Sequence, residues 1–301
     1  MVSMKDIAQR CGVSVATVSK ALNGQQDIGE DTRRRICIAA EKMGYMTNSA
    51  ARALKTNRTY NLGVLFVDER HSGLAHEYFS AVLESFKAEA EAHGYDITFL
   101  NHNVGGKPTT YLQHCRYRGL DGVVIACVDF NHPQVQELVD SGLPLVTIDH
   151  VFNNRLAVTS DNLCGTEALG LEAEPDYVRA GRYHDPECCA RETAALLALP
   201  QPPTCILFPD DFSAIGGLNT IAAAGLRVPD DISVAGYDGI YLSQTMSPRL
   251  TTYRQDTAAL GRTAAARLIE LIEKPRTTVM DRTVVTGALL PGGTVASPRT
   301  E

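Results

Sequence analysis

From residue 61 onward, short apolar segments alternate with segments of helical spacing, and this alternation constrains the fold more than any other feature. Apolar runs lie at 62–67, 97–100, 122–127 and 145–149, and the helical segments between them at 78–93, 109–118 and 133–141. The pattern returns with strands predicted at 205–208, 232–237, 250–253 and 282–285, and helices at 211–224 and 257–273. Such alternation is typical of a parallel sheet covered on both faces, so we predict a doubly wound α/β fold.

The chain length and composition fit a globular protein of several domains. A chain of 301 residues with 44% hydrophobic and 21% charged residues has room for two or three domains. It has no apolar run near 18 residues and no apolar leader, so we expect a cytoplasmic protein without a membrane partner. The eight cysteines form no CxxC pair and no zinc spacing, so reduced thiols and no metal are expected. Without a GxGxxG or GKS/GKT motif, no nucleotide cofactor is expected.

Charge is distributed unevenly along the chain. Residues 1–60 contain ten Lys/Arg and five Asp/Glu, a net charge of +5, whereas the remainder carries −12. A basic segment attached to an acidic body indicates two different kinds of partner. The basic segment is suited to a polyanion.

The basic segment has the pattern of a helix-turn-helix. Residues 4–11 and 15–23 have the spacing of two short helices, joined at Gly12, which suits a tight turn, and Ser14, which suits an N-cap. A third helix is predicted at 30–43, with Gly44 as its C-cap. The alternative is a small helical bundle with no DNA-binding role.

The second predicted helix carries the side chains expected to read DNA. Val15 and Ala16 are short enough to contact thymine methyl groups, and Lys20 is able to donate to guanine. An alternative for Lys20 is simple solvation. The residues expected to contact phosphates, which position the protein without specifying sequence, are Ser14, Thr17, Ser19, Asn23, Thr32 and Tyr45.

Carboxylates follow several predicted strands. Asp68, Asp149, Asp210 and Asp238 each stand at a strand's carboxyl end, where open α/β sheets bind ligands. They are suited to accept hydrogen bonds from sugar hydroxyls, and the alternative is helix capping or solvation. A metal site at His71, His76 and Glu77 is the weaker interpretation, since these residues fall in a glycine-containing loop. No GxSxG motif supports a hydrolase, and we expect no catalytic residues.

Several segments resemble the lactose-repressor (LacI/GalR) family of bacterial regulators. MKDIAQRCGVSVATVSKALNG, DTRRRICIAAEKMGY and NSAARALKT match it over residues 4–58, and VTSDN, PDDFSAIGGLNTI, ISVAGYDG and LTTYRQD match its core. The resemblance implies an all-α helix-turn-helix headpiece and an α/β periplasmic-binding-protein-like core of two doubly wound lobes. It also implies a homodimer that reads a pseudo-palindromic operator in double-stranded DNA and responds to a small-molecule, carbohydrate-like effector.

The resemblance also assigns roles to single residues. It implies a hinge helix that enters the minor groove through Asn48, Ala51 and Leu54, with Leu54 as an apolar wedge. The segment 49–55 is too short to be stable alone, so it is expected to fold on contact with DNA. A buried linker leucine is the alternative. The implied effector contacts are Tyr78, Phe79, Asp149, Asp210 and Asp238.

The sequence departs from the family pattern after residue 169. The first strand of the second lobe and an adjacent helix are missing, and with them the arginine that clamps the effector; Arg155, Arg179 and Arg182 are nearby, outside that motif. We therefore expect a shortened second lobe and an impaired effector pocket. The predicted domains are 1–46 (headpiece), 47–59 (hinge), 60–155 with about 254–275 (first lobe) and 156–253 with about 276–301 (second lobe). Two functions remain: an effector-controlled repressor, or a DNA-binding dimer that no longer senses a ligand.

Overall fold

The computed structural model divides the chain into two compact units, residues 1–59 and 60–301. The residues that it describes are 2–25, 27–45, 53, 58–67, 73–162 and 175–297. Within these ranges, no helix has both the length and the apolar character needed to cross a membrane.

The first unit contains the three helices of the predicted headpiece. They are α1 (Met4–Cys11), α2 (Val15–Leu22) and α3 (Glu30–Lys42). Their limits follow from local chemistry: Ser3 and Asp6 form a capping box at α1, and the Ser14 hydroxyl accepts a hydrogen bond from the Thr17 amide. Gly12 has φ +63° and Gly44 has φ +66°, so both adopt the left-handed conformation predicted for them.

A small apolar core holds the headpiece together. Ile7, Val18 and Ile36, one from each helix, are fully buried against one another, with three alanines completing the cluster. Since six residues supply the buried surface, this unit is expected to be only marginally stable.

The second unit contains two main sheets, and the larger one, which is all parallel, defines the first lobe. Its six strands lie in the order 282–285, 156–160, 145–148, 122–126, 61–66 and 96–99 across the sheet. The strands are β1 (Asn61–Phe66), β2 (Asp96–Phe99), β5 (Gly122–Ala126), β6 (Leu145–Ile148), β7 (Leu156–Ser160) and β11 (Arg282–Val285). The central strands are apolar and buried on both faces, as a doubly wound sheet requires. A two-stranded hairpin, β3 (Asn103–Val104) and β4 (Lys107–Pro108), follows β2.

Helices cover both faces of this sheet. They are α4 (Glu77–Ala92), α5 (Tyr111–Arg118), α6 (Pro133–Val139) and, from the far end of the chain, α10 (Thr257–Glu273). α10 lies against α4 so closely that a β-carbon at Gly261 would come within 2.1 Å of the Val82 carbonyl oxygen. The Ser85 hydroxyl donates to the Thr257 carbonyl at 2.9 Å and ties the two helices together.

The smaller sheet defines the second lobe. Its order is β12-β10-β9-β8, formed by β8 (Cys205–Leu207), β9 (Ser233–Asp238), β10 (Thr251–Arg254) and the antiparallel β12 (Ala288–Leu290). The helices of this lobe are α7 (Pro186–Leu197), α8 (Asp211–Ala223) and α9 (Tyr241–Thr245). Apolar side chains of α7, α8 and β9 form its core.

The predicted division between the lobes needs correction. The prediction gave 156–160 and 282–285 to the second lobe, but both segments, β7 and β11, pair within the first sheet. Hydrogen bonding between distant segments causes the difference: β7 pairs with β6, which precedes it, and β11 then pairs with β7. The chain therefore crosses between lobes after β7, not before it.

The second sheet is short on its β8 side. Among the described residues β8 has three residues and lies at the edge, and no strand forms at 177–181, the segment considered for closing that edge. Instead 175–177 make one turn of 3₁₀ helix, and the Tyr177 hydroxyl donates to the Gln201 carbonyl at 3.0 Å. Residues 163–174, where the departure from the family pattern begins, lie outside the described ranges.

Candidate functional site

A cavity of about 520 Å³ lies between the two lobes, at the carboxyl ends of both sets of strands. We call it the cleft. The first lobe contributes Val67, His76, Tyr78, Phe79, Cys127, Val128, Phe130, Ile148, Asp149 and Asn162, and the remaining wall is Arg182, Tyr183, His184, Pro209, Tyr237, Asp238 and Gln255. Its volume suits a ligand the size of a small sugar, and its position is that expected for open α/β sheets.

Four of the five residues predicted to contact an effector line this cleft. They are Tyr78, Phe79, Asp149 and Asp238. Asp210 is not in the lining: one carboxylate oxygen caps α8 by accepting from the Ser213 amide at 2.7 Å, and the other accepts from the His184 amide at 2.8 Å. Asp210 therefore has the capping role that was its alternative interpretation. Asp68 lies outside the described residues.

A chain of hydrogen bonds crosses the cleft from one lobe to the other. The Tyr78 hydroxyl donates to Asp149 at 2.7 Å and lies 3.1 Å from the Gln255 carbonyl oxygen, to which the Ser160 hydroxyl donates. The Gln255 amide group donates to Asp238 at 2.5 Å, and the Tyr183 hydroxyl donates to the other Asp238 oxygen at 2.8 Å. Gln255, which follows β10, thus joins the two lobes.

Burial of the two carboxyl groups changes their ionisation. Desolvation raises the pKa of Asp238 to about 8, although hydrogen bonds from Tyr183 and Gln255 act in the opposite direction. Desolvation also raises the pKa of Asp149, against the opposing effect of the Tyr78 hydroxyl. The pKa of Tyr78 is raised well above its usual value by burial and by the two nearby carboxyl groups. Asp238 is consequently mostly uncharged at pH 7.

Aromatic rings from both lobes stack at one side of the cleft. The rings of His76, which precedes α4, and His184 are stacked with centroids 4.0 Å apart, and His184 also stacks on Phe212 at 4.3 Å. Phe79 meets His76 edge-on at 5.0 Å. Tyr183, His184 and Gln255 were not among the residues predicted to contact an effector. Tyr183 and His184 do not follow a strand of the predicted alternation, and at the end of strand 250–253 no carboxylate marked Gln255 as a candidate.

The three arginines noted in the sequence have different environments. The Arg155 guanidinium binds the Val139 carbonyl and, at 2.6 Å, the Ser141 carbonyl of the first lobe. Arg179 donates to the Asp176 carbonyl at 2.8 Å. Arg182 alone of the three lines the cleft.

The residues considered for a metal site have other partners. The Glu77 carboxylate accepts a hydrogen bond from the Tyr241 amide of the second lobe, and His76 takes part in the ring stack. His71 lies outside the described residues. In the part of the chain that the structure describes, no group of three or more His, Cys, Asp and Glu side chains is arranged to hold a metal ion.

The headpiece presents the residues predicted to read DNA. Val15 and Ala16 are exposed in the first turn of α2. Lys20, about half-exposed, forms an ion pair with Asp27 at 2.5 Å.

Of the predicted phosphate contacts, several have local roles in this structure. Ser14 caps α2 and is bonded to Thr17, and the Asn23 side chain donates to Ser19. Thr32 lies in the first turn of α3, and Tyr45 packs against the headpiece core. The hinge residues Asn48, Ala51 and Leu54 lie outside the described residues, so their roles stay predictions.

Three family models match the chain in succession. Residues 3–48 match the bacterial regulatory proteins of the lacI family. Residues 60–167 match the periplasmic binding proteins and sugar binding domain of the LacI family, and residues 162–295 match a periplasmic binding protein-like domain.

Similar curated proteins are repressors by name. The probable HTH-type transcriptional repressor ExuR of Bacillus subtilis (strain 168) is 29% identical, with 92% of this chain and 93% of the relative covered. The HTH-type transcriptional repressor PurR of Pasteurella multocida (strain Pm70) is 26% identical, covering 91% and 93%. These two relatives are named as repressors, not as enzymes.

Solved structures share the fold. The lac repressor dimer bound to operator and the anti-inducer ONPF superposes with a TM-score of 0.77 at 23% identity, covering 98% of this chain and 99% of the other. A complex of the transcriptional regulator CelR with cellobiose gives 0.67 at 20% identity, covering 98% and 100%. At these identities the likeness establishes the fold.

The alignment with the Bacillus relative is longer than the part of this chain that it covers. It runs over 318 positions and covers 92% of the 301 residues, so about 40 of its positions have no residue in this chain. That number is close to one strand and one helix with their connections. The shortening of the second lobe stays a prediction from the sequence.

Proposed function

We propose that the chain is a repressor of the lacI family of bacterial regulatory proteins, and that a small effector controls its affinity for operator DNA. The observation that carries the proposal is the cleft: polar and aromatic side chains from two lobes surround one cavity at their strand ends. A DNA-reading headpiece and a ligand cleft in the same chain are the two parts that such a switch needs. A repressor of bacterial operator DNA acts in the cytoplasm, which is the localisation that we propose.

The headpiece supplies DNA recognition in this proposal. Val15, Ala16 and Lys20 lie on α2, where a recognition helix meets base edges in the major groove. The net charge of +5 in residues 1–60 supplies attraction to phosphate, so binding should weaken steeply with salt. Two headpieces are needed to read the two halves of a pseudo-palindrome, so we propose a homodimer.

In this proposal the cleft is the site where an effector binds and changes the affinity for DNA. An effector that enters it competes with the chain of hydrogen bonds through Gln255 and changes how the lobes are joined. It shifts DNA affinity only as far as it binds the two lobe arrangements differently. The cellobiose complex of the structural relative CelR and the sugar-binding name of the matched model support a sugar-like effector.

The second candidate is a DNA-binding dimer that has lost effector sensing. The short second sheet, with β8 at its edge, favours this candidate. The cleft favours the sensing repressor, since Arg182, Tyr183 and His184 line it on the side of the second lobe. We therefore favour the sensing repressor.

We predict that Lys20 contributes to base discrimination. Replacing Lys20 with alanine should reduce the preference for the best base at one operator position by about 1–3 kcal/mol. Asp27→Asn should strengthen binding, because it releases Lys20 from its ion pair and removes a negative charge near phosphate. Lys42→Ala, on α3 away from the recognition helix, is the matched control. Competition binding with single-base operator variants measures the effect; uniform weakening across all variants would assign Lys20 to phosphate instead.

A random-library DNA selection with the purified full-length chain tests the proposal. We expect enrichment of one pseudo-palindromic sequence with two half-sites. If no sequence is enriched at low salt, the proposed function is wrong.

A further inference from the structure

Each carboxyl oxygen of the two acidic side chains in the cleft already accepts one hydrogen bond from the protein. The two Asp149 oxygens accept from the Tyr78 hydroxyl at 2.7 Å and the Ser160 amide at 3.3 Å. Those of Asp238 accept from Gln255 and Tyr183. Both groups are buried, and burial raises the pKa of each, which lowers their negative charge. The cleft is therefore less acidic than its composition suggests.

The side chain of Arg182, unlike the two buried carboxyl groups, is exposed and has no hydrogen-bond partner among the described residues. It lines the cleft and makes no ion pair with any other residue in the described ranges. A guanidinium carries five N–H donors in a planar fork that matches the two oxygens of a carboxylate or phosphate. Burial raises the pKa of Asp149, and it raises that of Asp238 to about 8, so Arg182 is the exposed charged side chain that a ligand meets at this wall of the cleft.

The backbone next to Arg182 is held in place on its C-terminal side. The Tyr183 hydroxyl is bonded to Asp238 at 2.8 Å, and the His184 amide to Asp210 at 2.8 Å. Both acceptors are buried at the ends of strands of the second lobe. Arg182 is thus fixed at the cleft wall by its neighbours while its own side chain stays available.

We propose that the effector is an anion of about the size of a sugar, whose carboxylate or phosphate group binds Arg182. The inference rests on the proposed function and deepens it. The rings of Phe79, Phe130 and Tyr183 line the same cavity and offer surfaces for the C–H face of a sugar ring. A neutral polyol lacks the negative charge with which a guanidinium forms its strongest hydrogen bonds, and the positive charge of Arg182 would repel a cation.

Matched ligand triplets test the proposal. D-glucose, D-galactose and D-mannose are each compared with their uronate and their 6-phosphate by thermal shift and calorimetry, at constant ionic strength. We expect at least one anionic member to bind more tightly than its neutral parent by about tenfold or more, the usual effect of a charge-assisted hydrogen bond. Comparing the affinities of the uronate and the 6-phosphate of the same sugar identifies which anionic group is recognised.

Variants then assign the effect to Arg182. Arg182→Gln should remove the preference for the anion, and Arg182→Lys should retain part of it. Arg179→Gln is the matched control, since Arg179 bonds a nearby carbonyl and does not line the cleft. Operator binding without ligand should be the same for the control variant Arg179→Gln and the wild type.

The outcomes separate this inference from the proposed function. The inference of an anionic effector is wrong if the neutral parents bind more tightly than the anions, or if no member of any triplet binds. It is also wrong if the preference for the anion survives Arg182→Gln. The DNA selection is independent of these results, so a protein that selects an operator but binds only neutral sugars keeps the proposed function and loses the inference. An Arg182→Gln loss of tenfold or more, with Arg179→Gln unchanged, supports the inference.

Discussion

Replacing Ile36 with alanine is expected to unfold the headpiece and abolish specific DNA binding. Ile36 is fully buried where the three helices meet. Truncating such a side chain costs about 2–5 kcal/mol. A unit whose core consists of six buried residues has little more stability than that to lose. Because residues 60–301 form a separate compact unit, the unfolding transition of that unit should be unchanged.

Ile38→Ala is the matched control for this experiment. Ile38 lies on the same helix but is 44% exposed, so its truncation should change stability little. Anisotropy titration with the selected operator, together with circular dichroism, measures both variants. Operator affinity within threefold of wild type for Ile36→Ala would contradict the packing described here.

Raising the pH from 5 to 8 is expected to destabilise the unit formed by residues 60–301. Burial raises the pKa of Asp238 to about 8 and that of Asp211 to about 6, from 3.8. Between pH 4 and the folded-state pKa values, the folded protein holds protons that the unfolded chain has released. Stability is therefore greatest at the low end and falls as pH rises, by up to about 1.4 kcal/mol per pH unit for each group.

Asp238→Asn should flatten this dependence. The variant has no proton to lose, so the slope between pH 6 and 8 should fall towards zero, whatever its absolute stability. Asp140→Asn, at an exposed position, should keep the wild-type slope. Urea unfolding at pH 5, 6, 7 and 8 supplies the free energies. If stability rises from pH 6 to 8, or Asp238→Asn keeps the full slope, Asp238 is ionised in the folded protein.

Local signals made most of the fold predictable. Gly12, Ser14 and Gly44 act through their own backbone and side-chain chemistry, and the structure confirms each at the predicted place. The same holds for helix 257–273 and strand 282–285, whose limits agree with the prediction. Asp149 and Asp238 were assigned to a site from their places at strand ends, and Tyr78 and Phe79 from the family resemblance; all four line the cavity.

What could not be predicted depends on distant segments. The place of β7 and β11 in the first sheet follows from strand pairing between residues more than a hundred positions apart. Asp210 has the same strand-end signal as Asp238, and only its bonds to Ser213 and His184 reveal a capping role. Arg182 reaches the cleft because Tyr183 and His184 are anchored by carboxylates of other elements, which no local pattern encodes.

Anisotropy titration of the selected operator, with and without the ligand that most stabilises the core, tests the central claim of a cleft coupled to DNA binding. We predict that saturating ligand changes operator affinity by about 5–150-fold, the range that allosteric coupling usually supplies. The reciprocal change in ligand affinity should appear when operator is bound. A ligand that occupies the cleft and leaves operator affinity unchanged would contradict the account.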